Sequence, residues 1–199
     1  MQLKKDNANA QYVHCCAHAL NLVMMDCTAC CKVAKDFLGL LQTTAVFVLE
    51  SYKRMQVWKK VYKYSTTGNQ LLRLLQKVNA TRWWSKDRAL QSILDNPSIP
   101  LNESKQCLTL LICLHTISNL EHFNADATFQ ANSLVANWCK FQNILVAFVF
   151  RDMFISSTQT SKYLQTNGID LLTASKKVKT LQSEMLTMRN NFDFIHENA

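Results

Sequence analysis

Tyr12-Val13-His14-Cys15-Cys16-Ala17-His18-Ala19-Leu20-Asn21-Leu22-Val23 is the stretch on which the reading of this chain turns. Its aromatic and β-branched start predicts a short strand over residues 10–15. Helical spacing follows directly, with no Gly or Pro between. Cys15 and His18 stand at i and i+3, so both project from one side of the first helical turn. Leu20, Val23 and Met24 supply an apolar face. The spacing predicts a helix from Ala17 to Val33, and a second one capped by Asp36 that carries Phe37, Leu40, Leu41, Val46, Phe47 and Leu49.

Composition widens this to the whole chain. Three Gly and two Pro in 199 residues are too few for the turns of a β-rich protein. The fold class read from the sequence is therefore mainly α, with one short N-terminal strand. A hydrophobic share of 48% excludes a disordered chain. A formal charge of +8 suits an anionic partner, most simply nucleic acid such as DNA, and equally suits simple solubility. Eight cysteines behind the polar start Met1-Gln2-Leu3-Lys4-Lys5 predict reduced thiols in the nucleus or cytoplasm. The apolar run Ile144 to Phe150 stops at Arg151-Asp152, too short to cross a bilayer, so no membrane partner is expected.

Further along, Ser51 to Tyr64 interleaves bases with aromatics: Tyr52, Lys53, Arg54, Trp58, Lys59, Lys60, Tyr62, Lys63 and Tyr64. Residues 65–69 read as a loop and residues 70–76 as a short helix. A connector over residues 77–84 contains Thr81-Arg82-Trp83-Trp84. Ser85 reads as an N-cap for a helix from Lys86 to Leu94, and Asn96-Pro97-Ser98-Ile99-Pro100 as a break. Helices are predicted over residues 104–121, over residues 128–150 or on to Ser156, and, after an Asn167-Gly168 turn, over residues 169–194. The last places Leu171, Leu172, Val178, Leu181, Met185 and Met188 on its apolar positions.

Three of these features occur together in a known family. Cys15-x-Ala17-His18-x-Leu20-Asn21-Leu22-Val23, then Thr81-Arg82-Trp83, then Leu164-Gln165 with Asp170-Leu171, resemble the hAT transposase superfamily and its domesticated zinc-finger MYM-type relatives. The resemblance covers nearly the whole chain. It implies an RNase H-like fold whose two aspartates and one glutamate hold metal ions for strand cleavage. It also implies that both aspartates lie upstream of the Cys-His motif, and that the glutamate lies past or near Ala199, where Glu197 has no matching surroundings. On that basis residues 1–33 are expected to be a remnant of the catalytic domain and residues 34–199 a helical insertion. Cys15, His18, Asn21, Arg82 and Trp83 are placed near the former active site. No catalytic residue, cofactor or small-molecule substrate is expected. The function implied is a non-catalytic module binding nucleic acid or protein. Two alternatives stand beside it: a truncated form of a full-length transposase-like enzyme, and a helical scaffold without nucleic-acid affinity. With only one strand to cover it, apolar surface around Tyr12, Val13 and Leu20 is expected to favour self-association.

The residues allow plainer readings as well. His14, Cys15, Cys16, His18, Cys27, Cys30 and Cys31 are zinc-type ligands, but they are strung along a helix rather than paired on turns. Small buried apolar residues are the expected role of these cysteines, and no metal is expected. Of the adjacent Trp83 and Trp84, one is expected in the core and one exposed; either the Trp83 ring stacks on an unpaired base while Arg82 meets phosphate, or the tryptophans are a pair of core anchors after a turn. Lys53, Arg54, Trp58, Lys59, Lys60 and Lys63 form the candidate nucleic-acid surface. The alternative is an amphipathic helix with aromatics inward and lysines in water. Lys176, Lys177 and Lys179 read as a solvated face.

Overall fold

The computed structural model describes residues 15–65, 72–79, 82–95 and 105–190. Among them are eight helices: α1 (Cys16–Cys30), α2 (Lys32–Leu49), α3 (Tyr52–Ser65), α4 (Trp83–Leu94), α5 (Lys105–Asn119), α6 (Ala125–Trp138), α7 (Phe141–Tyr163) and α8 (Leu171–Asn190). No strand occurs among the described residues. The strand expected over residues 10–15 lies outside them apart from Cys15, whose backbone is extended at φ −65°, ψ 114°.

Helix α2 is strongly amphipathic and packs against α1, α3, α4, α6 and α7. Phe37, Leu41, Thr44, Ala45 and Val48 recur at helical spacing and are fully buried. Asp36 does not cap this helix, as it lies inside it. The chain breaks earlier, at Cys31, whose φ −105°, ψ 116° is extended. The expected single helix to Val33 thus ends at Cys30.

A column of rings fills the centre. Phe37 stacks on Phe150 at 5.7 Å and meets Trp138 edge-on at 6.0 Å, while Phe150 and Trp83 both lean on Phe154, at 5.6 and 4.8 Å. Such pairs add about 0.5–1.5 kcal/mol each beyond the area they bury. Trp138 also donates its indole N–H to the Thr44 hydroxyl at 2.9 Å. That anchor sits where one helix over 128–150 is expected. Instead α6 ends at Trp138 and α7 leaves at a bend of 67°, with no Gly or Pro to announce it. Helix α7 then continues well past Ser156, to Tyr163.

Residues 72–79 are not helical, against the helix expected over 70–76. Side chains elsewhere take their backbone donors. The Gln76 N–H reaches Ser92 Oγ at 3.0 Å, the Val78 N–H reaches Gln42 Oε1 at 2.7 Å and the Asn79 N–H reaches Ser85 Oγ at 2.9 Å. Paired this way, the segment has no need of its own helical ladder, and only Leu75 is buried in it.

At the other end, Gly168 supplies φ +69° for the turn before α8. Asp170 then accepts from the Leu172 and Thr173 N–H groups at 3.2 and 2.8 Å and caps that helix. Helix α8 buries only Ala174 and Leu181. Leu171, Leu172 and Val178, expected inward, are 72%, 64% and 41% exposed. No single helix among the described residues is long and apolar enough to cross a membrane.

Candidate nucleic-acid interface

Two motifs 62 residues apart meet at the start of α4. Asn21 Oδ1, on α1, accepts the Trp83 backbone N–H at 2.6 Å. The first N–H groups of a helix have no partner within it, so a side chain from another helix performs the capping here. Ser85, expected as the cap, sits one turn inside. Its hydroxyl donates to Arg82 O at 2.7 Å and fastens the connector by accepting from Asn79.

The Trp83 ring is 1% exposed, and its Nε1–H donates to Ser157 Oγ at 2.9 Å. It is therefore a core anchor, and the stacking role raised for it fails because the ring is buried against Phe150 and Phe154. Trp84 is the outer member of the pair. It is half-buried, with the Arg82 guanidinium 5.5 Å and the Arg88 guanidinium 4.6 Å from its ring centre. Nothing in the sequence motifs singled out Trp84 and Arg88 as a pair; their i, i+4 spacing was the available signal.

Cys15 and His18 are both exposed on the first turn of α1. Cys16, Cys27, Cys30 and Cys31 are exposed free thiols, so the expectation of small buried cysteines fails for all of them. The reason is the narrow face that α1 buries: Ala17, Met24 and Thr28 turn inward, leaving Leu22 and Val23 47% and 56% exposed. The apolar face expected through Val23 is thus rotated, and Leu20 is half-buried. Among the described residues, no three His, Cys, Asp or Glu side chains converge on a point that could hold a metal ion.

Helix α3 divides the candidate surface residues into two sets. Trp58 is fully buried, donates its Nε1–H to Arg73 O at 3.1 Å and lies 6.1 Å from the Tyr62 ring. It cannot belong to a surface. Arg54 is half-buried; its guanidinium lies 4.3 Å over the Phe47 ring and its Nε–H donates to Phe47 O. Burial lowers its pKa, against the opposing charges of Asp126 and Glu50, but a guanidinium stays charged regardless. Arg54 is therefore committed to the fold.

Lys53, Lys59, Lys60 and Lys63 are exposed, and so are Tyr52 and Tyr64. At about 100° per residue they form two stripes, Tyr52-Lys59-Lys63 and Lys53-Lys60-Tyr64. Each stripe sets one exposed ring in line with two ammonium groups. Such a surface can meet phosphates with its lysines and unpaired bases with its rings.

Two further groups are shifted by burial near α4. Lys86 is 3% exposed, with its Nζ 2.8 Å from Met25 Sδ and 3.5 Å from Asn79 O, and burial lowers its pKa. Asp87 is 4% exposed; burial raises its pKa, opposed by hydrogen bonds from Thr158 and Gln91. No protein-family model matches the chain, and no solved structure matches it.

Proposed function

We propose that this chain is a non-catalytic, transposase-derived module that binds nucleic acid in the nucleus through the exposed lysine and tyrosine stripes of α3. Under this reading residues 1–33 descend from an RNase H-like catalytic domain, and residues 34–199 correspond to its helical insertion. The observation that carries it is the pair of stripes, four lysines and two rings facing solvent on one helix of a chain with net charge +8. The joining of the Cys15–Val23 and Arg82–Trp83 motifs through Asn21 supports treating them as one unit.

A mobility-shift assay at two salt concentrations tests the reading. Binding should weaken steeply with salt. Changing Lys59, Lys60 and Lys63 to Ala should weaken it alike for every sequence, reducing the salt slope by roughly 0.9 for each phosphate that is no longer neutralised. Unchanged affinity in that variant removes α3 as the surface. Metal-dependent nicking by the chain, abolished by substituting one of its own Asp or Glu residues, overturns the non-catalytic part.

A further inference from the structure

We propose that the cleft beside Trp84, between α4 and α7, binds one unpaired nucleotide and prefers guanine. The proposal rests on the nucleic-acid reading above but uses none of the α3 residues. The cleft has a volume of about 260 Å³. Sites for drug-sized ligands start at about 300 Å³, so this one suits a single base with its phosphate.

Each wall has a separate chemistry. Trp84 forms one side, with the Arg88 guanidinium 4.6 Å from its ring centre. The guanidinium lies over the ring as a cationic plate, and unpaired bases stack on arginine guanidinium planes. Lys162 faces it from α7, exposed like Arg88. Two cations across a cleft suit a phosphate at the mouth.

The inner wall has the opposite sign. Asp87 Oδ2 accepts from the Thr158 hydroxyl and Oδ1 from Gln91 Nε2, both at 2.7 Å. A carboxylate offers about four acceptor positions, so the two bonds orient it and leave capacity for a ligand. It calls for an edge with N–H donors, and guanine presents two neighbouring ones. A second phosphate would be repelled there. Cation at the rim, plate along the side and carboxylate at the base together match a nucleotide entering base first.

Tryptophan fluorescence tests this on the full chain. Of the four tryptophans, Trp58, Trp83 and Trp138 are buried and Trp84 is not. A ligand in the cleft should therefore quench Trp84 selectively. Guanosine 5′-monophosphate and a short guanine-containing single strand should quench saturably, and uridine 5′-monophosphate more weakly. Arg88→Gln with Lys162→Gln, both at the surface, should weaken binding roughly tenfold or more, the loss of a charge-assisted bond. Asp87→Asn should abolish the guanine preference. Absence of saturable quenching, equal quenching of the Arg88/Lys162 variant, or full competition by inorganic phosphate at equal concentration would overturn the proposal. The α3 triple-lysine variant separates the two readings. A lost mobility shift with quenching intact leaves both standing; an unchanged shift with quenching intact sinks only the α3 surface; an α3-dependent shift without quenching sinks only the cleft.

Discussion

Asn21 accepts the Trp83 backbone N–H at 2.6 Å, and so one side chain of α1 starts α4. Through it the first helix and the ring column are coupled, because the same Trp83 carries its indole into Phe150 and Phe154.

Removing that cap should loosen both helices. Asn21→Ala is expected to cost about 1 kcal/mol, the usual loss for a missing N-cap. Asn21→Asp keeps the acceptor and should cost less. The urea midpoints of the two variants check this, and equal midpoints for Asn21→Ala and the native chain would show that the bond contributes nothing.

Trp83→Phe should destabilise the chain while leaving the proposed nucleic-acid binding of the folded fraction intact. The ring survives, but Ser157 loses its buried donor, at a cost of about 1–3 kcal/mol; Ser157 still donates to Met153 O at 2.6 Å. Thermal unfolding reads the first effect and a mobility shift on folded protein the second. A selective loss of single-strand binding would restore the stacking role to Trp83.

Lys86 makes stability depend on alkaline pH. Burial sets its folded pKa below the usual 10.5. Between those two values the unfolded chain holds more protons than the folded one, so stability rises with pH across that window. Lys86→Met, similar in length and uncharged, should be more stable than the native chain below the folded pKa. Its advantage should shrink towards pH 10.5. Denaturant titrations at pH 7 and pH 10 measure the difference; a constant gap would mean that Lys86 does not titrate in this range.

The thiols should divide into six reactive and two protected. Cys15, Cys16, Cys27, Cys30, Cys31 and Cys139 are exposed. Burial pushes Cys107 up to about 11, helped by Cys139 and Asp95, and Cys113 up to about 12. Thiolate is the reactive form, so a maleimide at pH 8 should add six labels to the native chain and eight after denaturation. Mass spectrometry counts them, and fewer than six native labels would mean that at least one of these six thiols is covered in solution.

Helical class was legible from three Gly and two Pro and from 3.6-residue spacing, and α2, α3 and α5 follow that spacing closely. These are local properties, since a helix needs only its own backbone partners and one apolar stripe. The lysines of α3 were legible as a solvated face for the same reason. What the tertiary structure decided is where neighbours compete with local preference. Residues 70–76 look helical by composition, yet residues 72–76 are not helical, and Ser92 Oγ takes the Gln76 N–H. Residues 128–150 carry no breaker, yet the Trp138 anchor on Thr44 coincides with a bend. Trp83 and Trp84 are identical in type and adjacent in sequence, and only the packing of α7 makes one a core anchor and the other the wall of a cleft. Burial of a side chain depends on what crosses over it, and for Trp83 those groups are Phe150, Phe154 and Ser157, far along the chain on α7.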